Sequence, residues 1–206
     1  MDSTTRLLLL RHGEVETRYH RVFGGRIDMD LSGRGHEQAK ALADYVSKHH
    51  IDSVYVSPMK RAQQTVAPLA AALRQTPTAM PDLREVDFGN WTGLTWEQVK
   101  ERFQVSAWDW LHKLDQGGIA GAETTDQFRA RVEPCLRHIL QEHRGQSVAV
   151  VCHGGVIRMA LAILLDFPIL KMANVAIEYA SLTVVNSHAR KPELHLLNFT
   201  PWRDLA

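Results

Sequence analysis

The stretch LLLLRHGEVETRYHRVFGG, residues 7–25, places four leucines directly before an arginine, a histidine and a glycine. Four consecutive apolar residues followed by such a change are typical of a short strand that is buried on both faces of a parallel sheet. In open α/β sheets, ligands bind beyond the carboxyl ends of the strands. The sequence therefore predicts that Arg11 and His12 lie at the ligand-binding edge of a sheet.

Strand-like and helix-like patterns alternate along the rest of the chain. Apolar residues recur at helical spacing after Ser32, a residue type that often caps helices. Such patterns predict helices over residues 34–50, 59–75, 124–143 and 154–165, and strands from Ser53 and over 79–83, 147–152, 175–186 and 192–199. Pro68 is expected to kink or restart the second helix. The alternation predicts an α/β fold: a three-layer α/β/α sandwich with a mostly parallel central sheet.

A tryptophan-rich segment interrupts this alternation. It predicts a small helical, cap-like insertion at about residues 90–122, over the edge of the sheet. We expect its tryptophans to pack the insertion first, with one or two at the mouth of a site: Trp91, Trp96, Trp108 and Trp110. With 206 residues, of which 45% are hydrophobic, the chain suits a single domain over residues 1–206.

The composition excludes several classes of partner. Lysine and arginine (24) nearly balance aspartate and glutamate (23), so no global field favours nucleic acid or an anionic membrane. No apolar run approaches the length of a membrane span. Cys135 and Cys152 are too few for a disulfide framework and lie in segments that read as core, which indicates a reduced, cytoplasmic setting. The sequence leaves a homodimer open.

Residues that bind anions follow three of the predicted strands. His12 and His153 each come directly after an apolar strand, and each is followed by a glycine that permits close approach. Arg61 begins the helix after a third strand, where unpaired backbone N–H groups favour an anion. Arg11 and Arg61 can clamp one anion through charge-assisted hydrogen bonds. Two arginines and two histidines indicate phosphate.

These residue types predict phosphoryl transfer to an imidazole. Neutral His12, in line with a phosphorus atom, can act as the nucleophile and form a phosphohistidine. Arg11, Arg61 and His153 would meet the charge on the transferred group. The leaving alkoxide needs a proton, and LREVDFGNW offers Glu85 and Asp87 as candidate acids. On these grounds alone, either carboxylate fits.

Four motifs in the same order resemble the histidine phosphatase superfamily, in its phosphoglycerate mutase-like branch. They are LLRHGE with the following FGGRIDMDLSGRGHEQA, then VSPMKRAQQT, LREVDFGNWTG and VVCHGGVIRMAL. The resemblance implies that His12 is phosphorylated, that Arg11, Arg61 and His153 form the phosphate pocket, and that Glu85 rather than Asp87 is the general acid. Gly25 and Gly154 complete the predicted phosphate-binding set. The family's chemistry implies no metal and no cofactor.

The chain departs from the family's pattern beside this pocket. Many members have serine or threonine where Val15 stands and asparagine where Arg18 stands, and both side chains help to hold phosphate. Arg18 is therefore expected either to reach the phosphate or to bind a second acidic group of the substrate. As a set, Arg18, Arg21 and Arg26 fit a solvated loop face better than a second clamp. The family's glycine-glutamate motif is represented by Gly121-Ala122-Glu123, with one extra residue.

The favoured function is hydrolysis of a small phosphorylated metabolite by a metal-independent phosphomonoesterase. Alternatives are a cofactor-dependent phosphoglycerate mutase, an alpha-ribazole phosphatase specifically, and a non-catalytic phosphate-binding protein. The segment WDWLHKLDQGGIAGAE, residues 108–123, lacks the arginine pair and the prolines of the longer mutase insertion, which favours hydrolysis. A metal-dependent hydrolase is disfavoured because the chain has no HExxH-like pair and no clustered carboxylates.

Overall fold

The central sheet has six strands and is mostly parallel. The computed structural model describes residues 4–188 and 191–205. Its strands are β1 (Thr5–Arg11), β2 (Ser53–Val56), β3 (Thr78–Ala79), β4 (Ser147–Cys152), β5 (Leu182–Ser187) and β6 (Pro192–Phe199). They lie in the order β3-β2-β4-β1-β5-β6; the pairings from β3 to β1 are parallel and those of β5 are antiparallel.

The helices cover both faces of this sheet. They are α1 (Gly33–Val46), α2 (Lys60–Leu73), α3 (Trp96–Phe103), α4 (Trp110–Asp115), α5 (Thr125–Glu142), α6 (Gly154–Leu164) and α7 (Pro201–Asp204). Ser32 caps α1 as predicted, because its hydroxyl accepts a hydrogen bond from the backbone N–H of Gly35. The predicted α/β/α sandwich is confirmed. Across residues 4–188 and 191–205, none of the helices has the length and apolarity needed to cross a membrane.

The four leucines of β1 join the two halves of the core. Side chains alternate across a strand, so Leu7 and Leu9 pack in the cluster that includes residues of α5 and α6. Leu8 and Leu10 pack in the cluster that includes residues of α1 and α2. All four are at most 1% exposed, and burying each contributes roughly 1.5–3 kcal/mol. This double burial makes β1 a rigid support for the residues that follow it.

Two local predictions were wrong, and a third was wrong in part. The helix predicted to kink or restart at Pro68 does not restart there, because α2 continues through that residue. The strand predicted over residues 79–83 is only the two-residue β3, followed by a 3-10 turn, because Pro81 lacks the N–H that a strand ladder needs. The strand predicted from residue 175 begins at Leu182, after a turn around Ala180, whose φ is +48°. The length of a strand depends on the residues of neighbouring strands that pair with it, and a local sequence pattern carries no information about those residues.

The fold brings the ends of three strands to one edge of the sheet. Because β1, β2 and β4 are parallel, His12, Ser57 and His153 follow them at the same edge. Helices α2 and α6 begin there as well. Above this edge lie α3, α4 and the 3-10 turns Gly89–Trp91 and Ala107–Asp109, within the segment predicted as an insertion.

Candidate active site

A cavity of about 300 Å³ opens at this edge of the sheet. We call the polar side chains at its inner end the floor: Arg11, His12, Arg61, Glu85 and Arg158. We call the aromatic side chains at its mouth the rim: Tyr19, Phe88, Trp96, Trp108 and Trp110. Gly25 and Gly154 also line the cavity. The sequence-predicted residues Arg11, His12, Arg61 and Glu85 thus come together in one place.

His12 is held as a neutral imidazole with one nitrogen available. Its Nδ1 lies 2.8 Å from the carbonyl oxygen of Gly13, an acceptor only, so Nδ1 carries the proton. Its Nε2 therefore has a lone pair, which accepts a hydrogen bond of 3.2 Å from Nε of Arg61. Burial, together with the charges of Arg61 and Arg11, lowers the pKa of His12 well below 6.5. The imidazole is thus uncharged at neutral pH, which is the form a nucleophile needs.

Arg61 is fixed in position by backbone carbonyl groups. Its side chain is 2% exposed, and it donates to the carbonyl oxygens of Ile27 at 2.8 Å and Gly25 at 3.1 Å. Gly25 has a φ of +43°, a conformation that glycine adopts without strain. Burial lowers the pKa of Arg61 to about 10, so the guanidinium remains charged at neutral pH. Gly25 therefore contributes through its backbone, by orienting Arg61.

Arg11 lies beside Arg61 in the floor and has spare donor capacity. Its guanidinium stacks on the ring of Tyr179, 4.1 Å from the centroid, and its Nη1 donates to the carbonyl oxygen of Ile177. Its buried Nε has no hydrogen-bond partner among the residues that the structure describes. Unpaired buried donors cost free energy unless a ligand satisfies them. A bound anion is the kind of ligand that satisfies such a donor.

His153 lies next to His12 beneath the cavity. The two ring centroids are 5.2 Å apart, and His153 is fully buried. A 2.8 Å hydrogen bond joins its Nε2 to Oγ of Ser57, which follows β2, while Nδ1 has no hydrogen-bond partner within residues 4–188 and 191–205. Burial, followed by the charges of Arg61 and other neighbours, lowers its pKa well below 6.5. His153 is therefore a neutral hydrogen-bonding group.

Glu85 enters the cavity against the start of α6. Its carboxylate accepts hydrogen bonds from the backbone N–H of Gly155 at 3.2 Å and of Val86 at 3.0 Å. A Cβ on residue 155 would lie 2.4 Å from Oε1 of Glu85, so only glycine leaves room for this carboxylate. Asp87, the other candidate acid, instead accepts from the N–H of Gly89 at 2.9 Å and stabilises the turn. The structure thus brings Glu85 rather than Asp87 to the floor.

Two side chains hold the segment that carries Glu85. Arg131 on α5 donates to the carbonyl oxygens of Arg84 at 2.8 Å and Glu85 at 3.1 Å. Arg131 also pairs with Glu123 at 2.6 Å, and Glu123 accepts from the N–H of Asp87 at 2.8 Å. Glu123 belongs to the displaced glycine-glutamate motif, whose role the sequence did not define. Its place in the fold is structural support for Glu85.

Arg158 is a floor residue that the sequence analysis missed. It lies on α6, four residues after Gly154, so the two share a helical face. Its Nε donates to the carbonyl oxygen of Val175 at 3.0 Å, and burial and the charge of Arg11 lower its pKa. The sequence signal for Arg158 is its position one helical turn after the glycine of the His153-Gly154 motif. The floor thus holds three arginines and one carboxylate.

Arg18 is not among the residues that line the cavity in this structure. Its side chain is 68% exposed and pairs with Glu16 at 2.7 Å. Arg21 pairs similarly with Glu97 at 2.8 Å. Val15, the other departure from the family's pattern, is buried and lines the cavity. These arginines form the solvated loop face that the sequence favoured.

The rim is built from aromatic pairs. Trp96 packs edge-to-face with Trp108 at a centroid distance of 4.5 Å, and Phe88 packs similarly with Trp110 at 5.6 Å. Trp108 is 73% exposed. Trp91 is instead 2% exposed and belongs to the core. Three of the four tryptophans therefore line the cavity, where one or two were expected.

The floor and the fold together define a class of protein. A neutral imidazole, one carboxylate and arginines that form no ion pair with any described acidic residue suit an ester of phosphate. The site lies at the carboxyl ends of parallel strands, as ligand sites of α/β enzymes do. The class is that of enzymes acting on phosphate esters.

Comparisons with known proteins identify the family. The model of the histidine phosphatase superfamily (branch 1) matches residues 7–200. Phosphoserine phosphatase 1 of Hydrogenobacter thermophilus is 31% identical over 195 residues, which cover 95% of this chain and 92% of that protein. Adenosylcobalamin/alpha-ribazole phosphatase of Escherichia coli is 29% identical over 198 residues, covering 94% and 95%. A mycobacterial glucosyl-3-phosphoglycerate phosphatase has a structure similar to this one, with a TM-score of 0.85, 25% identity and coverage of 95% and 99%.

This chain belongs to the histidine phosphatase superfamily and is a phosphoric monoester hydrolase.

Proposed function

We propose that the protein hydrolyses a small phosphomonoester in two steps through a phosphohistidine on Nε2 of His12. One observation carries this proposal: Nδ1 of His12 is bonded to the Gly13 carbonyl, while the lone pair of Nε2 lies beside Arg61 in the floor. A phosphoryl group bound by Arg61 is then within reach of Nε2. Arg11 and Arg158 add positive charge on the same side of the cavity.

In the first step, Nε2 of His12 attacks phosphorus and the bond from phosphorus to the ester oxygen breaks. Glu85, in its protonated form, donates its proton to that leaving oxygen, so that an alcohol departs. The arginines stabilise the charge on the transferred group, and the unpartnered Nδ1 of His153 makes that residue a candidate donor to the phosphate.

In the second step, the Glu85 carboxylate takes a proton from water. The resulting hydroxide attacks phosphorus, the bond from phosphorus to Nε2 breaks, and His12 returns to its neutral form. The products are inorganic phosphate and regenerated enzyme. Both steps balance without any further reactant, and the arginines supply the positive charge that metal ions supply in other phosphatases.

Two features of the cavity bear on the choice of substrate. Arg158 offers a cation for a second acidic group, such as the carboxylate of phosphoserine, which the name of the H. thermophilus relative specifies. The rim offers aromatic surface for a ring, such as that of the alpha-ribazole named for the E. coli relative. The proposal therefore covers small phosphomonoesters, and a substrate panel distinguishes a carboxylate-bearing substrate from a ring-bearing one.

Rapid quenching with a radiolabelled substrate tests the mechanism. Phosphohistidine is labile in acid and stable in alkali, so the expected result is an alkali-stable labelled protein in the wild type and none in His12→Ala. Turnover should be insensitive to a chelator. Inorganic phosphate bound without any turnover would overturn the proposal in favour of a binding protein.

A substrate panel tests specificity and the rival mutase activity. Phosphoserine, alpha-ribazole 5′-phosphate and 3-phosphoglycerate, the last with and without bisphosphoglycerate, are compared in the wild type, Arg158→Gln and the control Arg137→Gln, which changes an exposed arginine on α5. Loss of turnover of phosphoserine and 3-phosphoglycerate, which both bear a carboxylate, with turnover of alpha-ribazole 5′-phosphate retained in Arg158→Gln indicates a carboxylate-bearing substrate. Interconversion of phosphoglycerates that outpaces hydrolysis would instead identify a mutase.

A further inference from the structure

Three metal-binding side chains converge at the hairpin of β5 and β6. His188 follows β5, and Glu193 and His195 lie two residues apart on β6 and so share a face. Oε2 of Glu193 lies 3.3 Å from Nε2 of His195 and 3.6 Å from Nε2 of His188. All three ligand atoms lie within 4.8 Å of one another. We infer that this cluster is a binding site for one divalent transition-metal ion, with zinc as the best match.

The spacing of these atoms fits a single ion. Ligand atoms at about 2.0–2.2 Å from a tetrahedral zinc ion are themselves roughly 3.4 Å apart. Two of the three separations, 3.3 and 3.6 Å, already have this value. The side chains of His188, Glu193 and His195 are 35%, 57% and 47% exposed, so they can make the small adjustment that the third separation requires. Their exposure also leaves a fourth position open to water.

The donor set matches the preferences of zinc. Two imidazole nitrogens and one carboxylate oxygen form the same ligand set that several zinc enzymes use. Imidazole ligands favour zinc, copper and nickel over magnesium and calcium, which prefer oxygen. The cluster carries a single negative charge from Glu193 when both imidazoles are neutral, so a divalent cation is better compensated there than an anion.

A fourth residue orients one of the ligands. Oγ1 of Thr4, just before β1, lies 2.8 Å from Nδ1 of His188. A hydroxyl that accepts from Nδ1–H fixes the tautomer with an unprotonated Nε2, which is the nitrogen that faces Glu193. Metal-binding histidines typically have such a partner on their second nitrogen. In a plain ion pair with Glu193, the proton would instead lie on Nε2, and Thr4 would be the donor.

The cluster lies at the opposite end of the sheet from His12. Ser187, the last residue of β5, pairs with Thr5 at the start of β1, whereas His12 follows the other end. A strand of seven residues spans roughly 20 Å. A metal ion here takes no part in the reaction at His12. It ties the residue that leads into β1 to the hairpin, as a structural clip.

Zinc titration of tag-free, chelator-treated protein tests the site. We expect one equivalent of Zn²⁺ to bind to the wild type and to raise its melting temperature, and Co²⁺ to give the absorption bands of a tetrahedral ion. His195→Gln removes a ligand and should weaken zinc binding about 100-fold or more, while Thr4→Val should weaken it about 10-fold. The matched control is His50→Gln, which breaks an exposed histidine-carboxylate pair with Asp52 that has no third ligand, and it should change nothing.

Two further results separate this site from the floor. His12→Ala should retain zinc binding, and one equivalent of zinc should leave wild-type turnover unchanged, whichever substrate the enzyme prefers. Equal zinc affinity in the wild type and in His195→Gln would overturn the inference, as would equal loss in His50→Gln. Wild-type affinity in Thr4→Val would overturn the orienting role assigned to Thr4, and failure of the wild type to bind zinc would reduce the cluster to an ordinary ion pair.

Discussion

The floor and the rim of the cavity differ in how firmly the chain holds them. On the floor, His12 and Arg61 are at most 5% exposed, and each has hydrogen bonds to backbone carbonyl groups. On the rim, Trp108 is 73% exposed and packs against another aromatic side chain, Trp96. Most floor residues lie at the end of the buried strand β1 or in the first turns of α2 and α6, whereas the rim belongs to short helices and turns. Reactive groups need fixed geometry, while surfaces that select a substrate tolerate variation.

The largest loss of activity is expected for His12→Ala, which changes the floor. Loss of the proposed nucleophile should reduce kcat by about 10⁴-fold or more and abolish the labelled phosphoenzyme, with the melting temperature preserved. The control His138→Ala changes an exposed histidine on α5 and should retain full activity. Normal turnover in His12→Ala would contradict the assignment of the reactive group to the floor.

Arg61→Gln should have the next largest effect. Removing a preorganised cation from the floor should reduce kcat by about 10²- to 10³-fold. Arg61→Lys keeps the charge but loses the fork that bonds to Gly25 and Ile27, so an intermediate rate is expected. A rate equal to that of the wild type in Arg61→Gln would contradict a role in binding the transferred group.

The same variant tests the titration of His12. Its neutral form reacts, and burial and the charges of Arg61 and Arg11 hold its pKa well below 6.5. Protonation of His12 therefore reduces the wild-type rate only at pH values below those at which an ordinary histidine titrates. In Arg61→Gln one of the causes that lower this pKa is gone, so the pKa rises and the acid limb of kcat/KM moves to higher pH. An unmoved limb would mean that another group sets it.

Glu85→Gln should discriminate among leaving groups. A glutamine donates no proton, so alkyl phosphates should lose about 10²-fold or more in kcat, while p-nitrophenyl phosphate, whose leaving group needs no proton, should lose much less. Gly155→Ala should give the same split, because its Cβ would displace the Glu85 carboxylate. Equal losses on both substrates would indicate a binding or structural role for Glu85.

Trp108→Ala tests the rim and should have a smaller effect. Loss of aromatic contact with a ring-bearing substrate should raise KM about fivefold and leave kcat unchanged. Phe167→Ala, which changes a half-exposed aromatic residue outside the cavity, serves as the control. A fall in kcat with constant KM would place Trp108 functionally with the floor.

The smallest effect is expected for Arg18→Asn. Arg18 is exposed and pairs with Glu16, so substrate preference between phosphates with and without a carboxylate should change less than about twofold. A larger change would show that Arg18 moves into the cavity when substrate binds.

Much of the fold and floor follows from local patterns. The double burial of Leu7 to Leu10 and the placement of His12 at the end of β1 follow from four adjacent apolar residues and the abrupt change after them. The placement of His153 directly after β4 follows in the same way from the apolar residues of that strand. These predictions succeed because a strand that is buried on both faces appears in the sequence as a continuous apolar run.

Other parts of the site depend on contacts between distant segments. Arg158 reaches the floor because α6 packs along the sheet, and a Cβ on residue 155 would displace the carboxylate of Glu85, which lies seventy residues earlier in the chain. Arg18 lies outside the cavity, where it pairs with Glu16.

The sequence by itself determined the α/β class, the strand that carries His12 and the choice of phosphate as the ligand. The motif resemblance favoured Glu85 over Asp87, and the tertiary structure brought Glu85 to the cavity. Only the tertiary structure showed that Arg158 joins the floor and that Thr4, His188, Glu193 and His195 meet. The physical reason is the distance along the chain over which each signal extends. Hydrophobic periodicity and motifs involve residues that are close in sequence, whereas hydrogen bonds and close contacts between distant segments depend on how whole elements pack.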